Sequence, residues 1–393
     1  MQATGPSIGA VVNRARQHRG KIERKSAMAS GNLSLFAVGD LQLMTREPPA
    51  DLFTAVAPVL SRADVTFGNC EWPYAEEAGD THPVEAHIND DFDLGDLFAP
   101  GAPESIAMMG AAGFDVMSVA NNHTMHGGYR AFLRTIALLE ESGIAHVGGG
   151  DTIASARQPA IIERNGHKIG FLACTAGFLP GAHAGRRTPG IVPLRRHTYA
   201  ENNSWQDWGV EPDTRTLVNR DDLAALVESI TALKAQADII VLSCHWGILE
   251  HESAIADYQR EAARAFIDAG VDLIVSQGPL PIKGFEVYRG KAILYSMGKF
   301  AMISPWSRDE TPSGISAPLL DETSRGLGAS VTIADGAITG VQIVPVYLGS
   351  SGRPQILNPG EPHYDAILGV VAERTSAAKL NGMMDETGRI VLG

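Results

Sequence analysis

From Leu33 to about Leu294 the chain alternates short runs rich in Val, Ile and Phe with stretches whose apolar residues recur at intervals of three and four. Few folds accommodate that pattern. The runs are LSLFAV, DVTFGN, FDVMSVA, IAHVGG, DIIVLSCH and DLIVSQG; between them lie AFLRTIALLEESG and YQREAARAFIDAG, each closed by Gly. Strand-length runs alternating with helical ones predict an α/β architecture. Three dipeptides, Asn165-Gly166, Arg289-Gly290 and Asp335-Gly336, each sit between two such runs and read as hairpin turns. Hairpins add antiparallel strands to the βα alternation, so the expected fold is a four-layer α/β sandwich, two mixed β-sheets flanked by helices.

Nothing in the composition marks a second domain, and no internal repeat is present. The expected organisation is a basic, disordered arm over residues 1–30 followed by one α/β domain over 31–393. Three stretches read as long loops: Ala75 to Glu104, Leu179 to Thr216 and Ser304 to Gly328. The net charge of −13 speaks against nucleic acid as a partner, because phosphate binding needs a concentrated basic face. Three distant cysteines, Cys70, Cys174 and Cys244, make neither a disulfide framework nor a thiolate zinc site. No apolar run reaches the ~20 residues of a membrane span. The first thirty residues lack the apolar segment of a secretory signal, so a cytoplasmic location is expected.

Several apolar runs end in residues that a core does not tolerate. LFAVGD ends on Asp40, VTFGNCEWP on Asn69 and Glu71, VMSVANNH on Asn121, Asn122 and His123, and VLSCHWG on His245. Singly, such an Asp is as good a helix cap, and such an Asn a turn residue. Repeated at successive strand ends they point to a site, because α/β sheets bind ligands outside the carboxyl ends of their strands. Carboxylate, amide and imidazole donors together suit Mn²⁺, Mg²⁺, Fe or Zn²⁺.

The same residues carry a likeness to a known family. AVGD, NCEWP, SVANNHTMHGG, SCHWG and the hairpin GFEVYRGKAILYSMGKF occur in this order between Leu33 and Phe300. In this the chain resembles the CapA family, linked to poly-γ-glutamate capsule synthesis. The resemblance implies a metallophosphatase-like fold with a metal centre at the strand ends, and a polyglutamate-type substrate. It assigns Asp40, Glu71, His123 and His245 as catalytic groups, and the same four with Asn122 as metal ligands. Departures from the family pattern are as informative. Gln277 and Leu280 stand in SQGPLPIKG where the family usually carries two histidines, Lys299 replaces an asparagine, and His126 replaces an aspartate. Leucine offers no ligand atom and glutamine a weak one, so at most one divalent ion is expected, and a metal-free site is compatible with the pattern.

Three functions follow. The first is metal-assisted or acid/base chemistry on an anionic amide- or peptide-like substrate, with hydrolysis placed ahead of epimerisation. The second is a phosphoesterase, which the lost histidines disfavour. The third is a non-catalytic accessory in polyglutamate synthesis. Arg186-Arg187 and Arg195-Arg196 put four arginines within eleven residues of an otherwise acidic chain, and with Lys299 they are the expected substrate-binding cations. Replacing Arg186 and Arg187 by Gln should raise KM for an anionic substrate and flatten the salt dependence of kcat/KM, with Tm unchanged. Steady-state kinetics over a salt series decide it. An untouched KM and salt slope in both the 186/187 and 195/196 double variants would remove the segment from substrate recognition.

Overall fold

The computed structural model describes residues 31–77, 99–201, 213–249, 251–304 and 322–393. The basic arm, and most of the first and third expected loops, lie outside the described residues.

Two mixed sheets face each other. The first begins with β1 (Leu33–Leu43), β2 (Val65–Cys70), β3 (Val116–Ser118) and β4 (Ala145–Val147), all parallel neighbours in that order. Right-handed βαβ logic requires a crossover between parallel neighbours. Here α1 (Glu104–Ala112) joins β2 to β3 and α2 (Gly128–Glu141) joins β3 to β4. The second sheet is formed by β5 (Ala160–Arg164), β6 (His167–Thr175), β7 (Ile239–His245), β8 (Leu273–Gln277), β9 (Phe285–Tyr288) and β10 (Lys291–Leu294), ordered β9-β10-β8-β7-β6-β5. Its crossover helices are α3 (Arg220–Lys234), before β7, and α4 (Asp257–Ala269), between β7 and β8. The chain then returns to the first sheet with β11 (Lys299–Ile303), β12 (Arg325–Ala334), β13 (Ala337–Tyr347) and β14 (Gln355–Ile356), and ends near α5 (Tyr364–Ala377).

The three hairpin turns fall where the dipeptides place them. Both central residues have positive φ in each: Asn165 and Gly166 at 51° and 81°, Arg289 and Gly290 at 49° and 72°, Asp335 and Gly336 at 51° and 74°. That is the type I′ signature, whose twist matches the flanking strands.

Strand alternation sorts the apolar residues into three layers of core. Between the sheets, Leu35, Ala37, Val65 and Phe67 meet Phe171, Val241 and Val275, and the Phe67 and Phe171 rings stack at 5.6 Å. Outside the first sheet, Phe36, Val38 and Met117 pack with Ile106 and Met109 of α1 and Phe132 of α2. Outside the second, Leu172, Ile240 and Leu242 pack with Ile230 of α3 and Phe266 of α4. The four layers expected from the sequence are therefore present. Tyr364, Ile367 and Val371 of α5 join the inter-sheet core.

One expectation changes. The second expected loop contains an antiparallel ribbon, Arg196–Glu201 with Asp213–Val218. Almost all of its side chains are exposed or half-buried, so it lacks the in–out hydrophobic alternation by which a strand is recognised.

The detail that positions the site is how β1 divides its edge. Leu33–Val38 pair with β12, then Asp40–Leu43 pair with β11 in parallel, with a register shift between Asp40 and Leu41. At the switch Asp40 N donates to Gly298 O at 3.0 Å. A Cβ on Gly39 would lie 2.1 Å from that oxygen, and Gly298 turns the chain into β11 at φ 63°. Only glycine allows so close an approach at position 39. Gly39→Ala should therefore cost about 1–3 kcal/mol through forced separation of β1 and β11. Gly369→Ala, on an exposed turn of α5 with nothing within 4 Å of the added Cβ, should be stabilising by about 0.5–1 kcal/mol. Urea unfolding of the two variants checks the contrast.

Candidate active site

Register carries the polar strand ends into two facing rows. Across the first sheet Lys299, Asp40, Asn69 and Ser118 are successive Cα partners. Across the second, Thr175, His245 and Gln277 are partners. Residues two apart share a face, so Asn69 and Glu71 continue the inner series Val65, Phe67, and His245 and Gln277 continue Val241 and Val275, while Asp40, three residues after Ala37, comes to the same face across the register shift between those two residues. The sequence suggested one sheet edge. The structure puts the site in the seam between two sheets, with His245 supplied from the opposite side.

Asn69 links the rows. Its Nδ2 donates to Asp40 Oδ1 at 2.7 Å and approaches His245 Nδ1 at 3.3 Å, and its Oδ1 accepts from Asn121 Nδ2 at 3.3 Å. Asn121 also caps the turn after β3, accepting from the amides of His123 and Thr124 at 3.1 and 2.8 Å. His245 Nε2 stands 2.7 Å from Asn122 Oδ1. An amide donor at Nδ1 and an amide acceptor at Nε2 select the neutral tautomer protonated on Nε2. Burial acts in the same direction and, outweighing Asp40, pulls the His245 pKa down to about 4.

Lys299 enters from β11 and points inward. Its Nζ donates to Asp40 Oδ2 at 3.3 Å and to Glu71 Oε2. All three side chains are at most 1% exposed. Burial opposes the Lys299 charge, but Glu71 and Asp40 overcome it and hold the ammonium above its ordinary pKa. Burial, and then the charge of Asp40, push the Glu71 carboxyl up to about 8 against the opposing pull of Lys299. Two carboxylates and one ammonium leave a negative charge in surplus, and Glu71 is where a proton relieves it.

His123 lies beside this cluster. Its ring centroid is 5.4 Å from that of Trp72, and its Nδ1 is 3.3 Å from Nδ1 of His126. Burial and then His126 hold its pKa well below 6.5. Asn122, His123 and His126 keep partial exposure.

The expected cations divide. Lys299 is inside the cluster, paired, rather than presented to a ligand. Arg195 is bound by Asp222 of α3 through Nε at 2.8 Å and Nη2 at 2.6 Å. Arg196 donates to Ala176 O at 2.7 Å and lies over the Tyr258 ring at 5.6 Å. Both have structural partners. Arg186 and Arg187 are exposed, on a loop tied to the carboxyl end of β6, where Thr175 N donates to Val192 O at 3.0 Å. Gln277 brings a further feature. Its Oε1 accepts from Ser243 Oγ at 3.1 Å, while its buried Nε2 finds no partner among the described residues. Its place in the site was legible only as a departure from a motif.

Asp40, Glu71 and His245 offer ligand atoms within 4.8 Å of one another and by donor chemistry could hold a metal ion. The fit fails as the side chains stand. Lys299 holds one oxygen of each carboxylate, and amides engage both nitrogens of His245.

The family described as bacterial capsule synthesis protein PGA_cap matches residues 19–304. The capsule biosynthesis protein CapA of Bacillus anthracis is 26% identical over 298 residues, 74% of this chain and 64% of that protein. The PGA biosynthesis protein CapA of Bacillus subtilis is 28% identical over 285 residues, 70% of this chain and 65% of that protein. The chain thus spans just under two thirds of the length of these relatives. A phosphatase structure from Mycoplasma pneumoniae aligns with a TM-score of 0.43 at 12% identity, over 81% of this chain and 95% of that one.

The pairing of Lys299 predicts a stability signature. Lys299→Met leaves two carboxyl groups buried side by side and should cost about 3–5 kcal/mol at pH 8. The deficit should shrink toward pH 5, because the variant can then protonate a carboxyl instead of pairing it. Adding Glu71→Gln to Lys299→Met should recover much of the loss at pH 8. Urea unfolding of the single and double variants at both pH values reads it out.

Proposed function

The chain belongs to the bacterial capsule synthesis protein PGA_cap family, and from that premise we propose that it hydrolyses an anionic, amide-linked substrate of the polyglutamate type. The observation that carries the proposal is the buried Glu71 carboxyl, raised to about 8 beside the Lys299 ammonium and the Asp40 carboxylate. A carboxyl with that pKa can take a proton from water and return it near neutrality.

In the proposed reaction Glu71 removes a proton from the attacking water. The hydroxyl oxygen bonds to the amide carbon. Glu71 then delivers the proton to the leaving nitrogen as the C–N bond breaks, giving a carboxylic acid and an amine, and the acid passes its remaining proton to the amine to leave a carboxylate and an ammonium. The charge of Lys299 opposes the negative charge that builds on the carbonyl oxygen. Asp40 holds Lys299, and Asn69 holds Asp40 and His245 in one arrangement. Neutral His245 presents its Nε2–H toward the half-buried Asn122. The Gln277 Nε2, buried and without an acceptor among the described residues, suits a substrate oxygen or a bound water. Arg186 and Arg187 suit the carboxylates of a polyanionic chain, and the cytoplasmic placement expected from the sequence remains part of the proposal.

Epimerisation is less well served. It needs two acid/base groups on opposite sides of one carbon, whereas Asp40, Glu71 and His245 converge within 4.8 Å. A phosphoesterase would clamp its displacement with two metal ions ~3.5–4 Å apart, and Lys299 stands among the ligands they would need. A non-catalytic accessory role is favoured by one observation: the charged groups are almost fully buried and mutually paired.

Incubation with poly-γ-glutamate oligomers, followed by chain length and released amine, tests the proposal. Cleavage should occur, and Glu71→Gln should lower kcat/KM by about 10²–10⁴-fold. As a base Glu71 must be ionised, so kcat/KM should rise with pH through about 8 and lose that limb in Glu71→Gln. A folded wild-type chain that binds the oligomer without cleaving it over pH 6–9 would support the accessory role instead.

A further inference from the structure

We infer that Lys299 is the resident cation of the strand-end cluster, standing in for a divalent metal. The wild-type chain then holds no tightly bound metal there, and a neutral side chain at position 299 turns the same residues into a metal site. The inference concerns the cluster of the proposed hydrolase and rests on the same geometry. Its readout is metal content, so it stands or falls independently of turnover.

Asp40 Oδ1 accepts from Asn69 and Asp40 Oδ2 from Lys299. Glu71 Oε2 accepts from Lys299. His245 Nδ1 faces the Asn69 amide and Nε2 faces Asn122 Oδ1. Of the six ligand atoms in this Asp/Glu/His set, Glu71 Oε1 alone has no hydrogen bond among these, and it lies 3.6 Å from His245 Nε2. A metal needs several of these atoms at once, and all but Glu71 Oε1 are withheld by a partner fixed elsewhere in the fold.

Lys299 cannot yield its place cheaply. It is the first residue of β11 and is in register with Asp40 on β1. Its backbone is therefore bound to the strand that carries one of its carboxylates. Its side chain is 1% exposed, so withdrawing the ammonium would mean unpairing the strand or burying a charge elsewhere. Charge points the same way. One ammonium against two carboxylates leaves a small surplus, whereas a dication added beside it would leave net positive charge in a buried seam. Lysine has donors only and cannot become a ligand while it stays charged. An asparagine or glutamine at 299 would remove the competing charge, free both carboxylates and offer an amide oxygen.

Metal content and thermal melts test this. Wild-type protein dialysed against Mn²⁺ or Zn²⁺ and then against metal-free buffer should retain well under one equivalent. Its Tm should be the same within about 1 °C with EDTA or with added metal. Lys299→Asn and Lys299→Gln should each take up close to one equivalent and gain about 5 °C in Tm at metal a hundredfold above Kd. Lys299→Arg, which keeps a cation, should stay metal-free. If the neutral variants are unfolded without metal, folding on its addition counts for the inference, and failure to fold at saturating metal counts against it. Wild-type protein holding a stoichiometric ion, removed by EDTA with a fall in Tm, would overturn it without recourse to any variant.

Discussion

The Lys299 ammonium lies in the seam between the sheets, bonded to Asp40 and to Glu71 and cut off from water. Such a triad is tolerable only with all three members present, because each would otherwise be an uncompensated buried charge. Its demands extend outward. Lys299 can face Asp40 only if β11 runs parallel to the second half of β1, which requires β1 to exchange partners at Gly39 and the chain to turn at Gly298. The electrostatics of the site and the connectivity of the first sheet are thus one problem with one solution.

The second sheet is tied to the first at the same point. Asn69 spends its amide hydrogens on Asp40 and His245, which come from different sheets, and its oxygen on Asn121 from a third segment. That bridge spans the correct distance only because the apolar layer beneath it, with Phe67 stacked on Phe171, sets the spacing of the sheets. Apolar packing decides where the polar groups meet, and hydrogen bonding decides how they are oriented once there. Buried polar networks specify geometry well when nearly every member is satisfied. Here the Nε2 of Gln277 is an exception at the edge of the cluster.

Chemical competence arises from groups whose environments push their pKa values apart. Burial drives the Glu71 carboxyl up to about 8 and the His245 imidazole down to about 4, reversing their ordinary order. Lys299 stays charged because its two partners outweigh burial. The arginines show a different division of labour within one short segment. Arg195 anchors the start of α3 through Asp222, and Arg196 covers Tyr258, while Arg186 and Arg187 remain on the surface. Four similar residues close in sequence are separated by what the fold places beside each.

By itself the sequence determined the layers, the turns and most of the residues that the fold gathers at the candidate site. Alternating apolar periods are local, and so are the dipeptides at Asn165-Gly166, Arg289-Gly290 and Asp335-Gly336, whose positive φ values depend on little beyond the turn. Asp40, Glu71, Asn122 and His245 were legible because a core strand has no apolar reason to end in them. Tertiary structure alone decided what these residues are bonded to. Lys299 lies 259 residues from Asp40, and its direction follows from which strand β11 pairs with. Arg195 and Arg196 acquire partners within the fold because Asp222 and Tyr258 arrive through the packing of α3 and α4. The ribbon of Arg196–Glu201 and Asp213–Val218 went unread because it lacks the alternation that marks a half-buried strand. Local propensity is carried by neighbours in the chain. Whether a lysine is a surface cation or the buried counter-charge of two carboxylates depends on contacts that exist only after the sheets have formed.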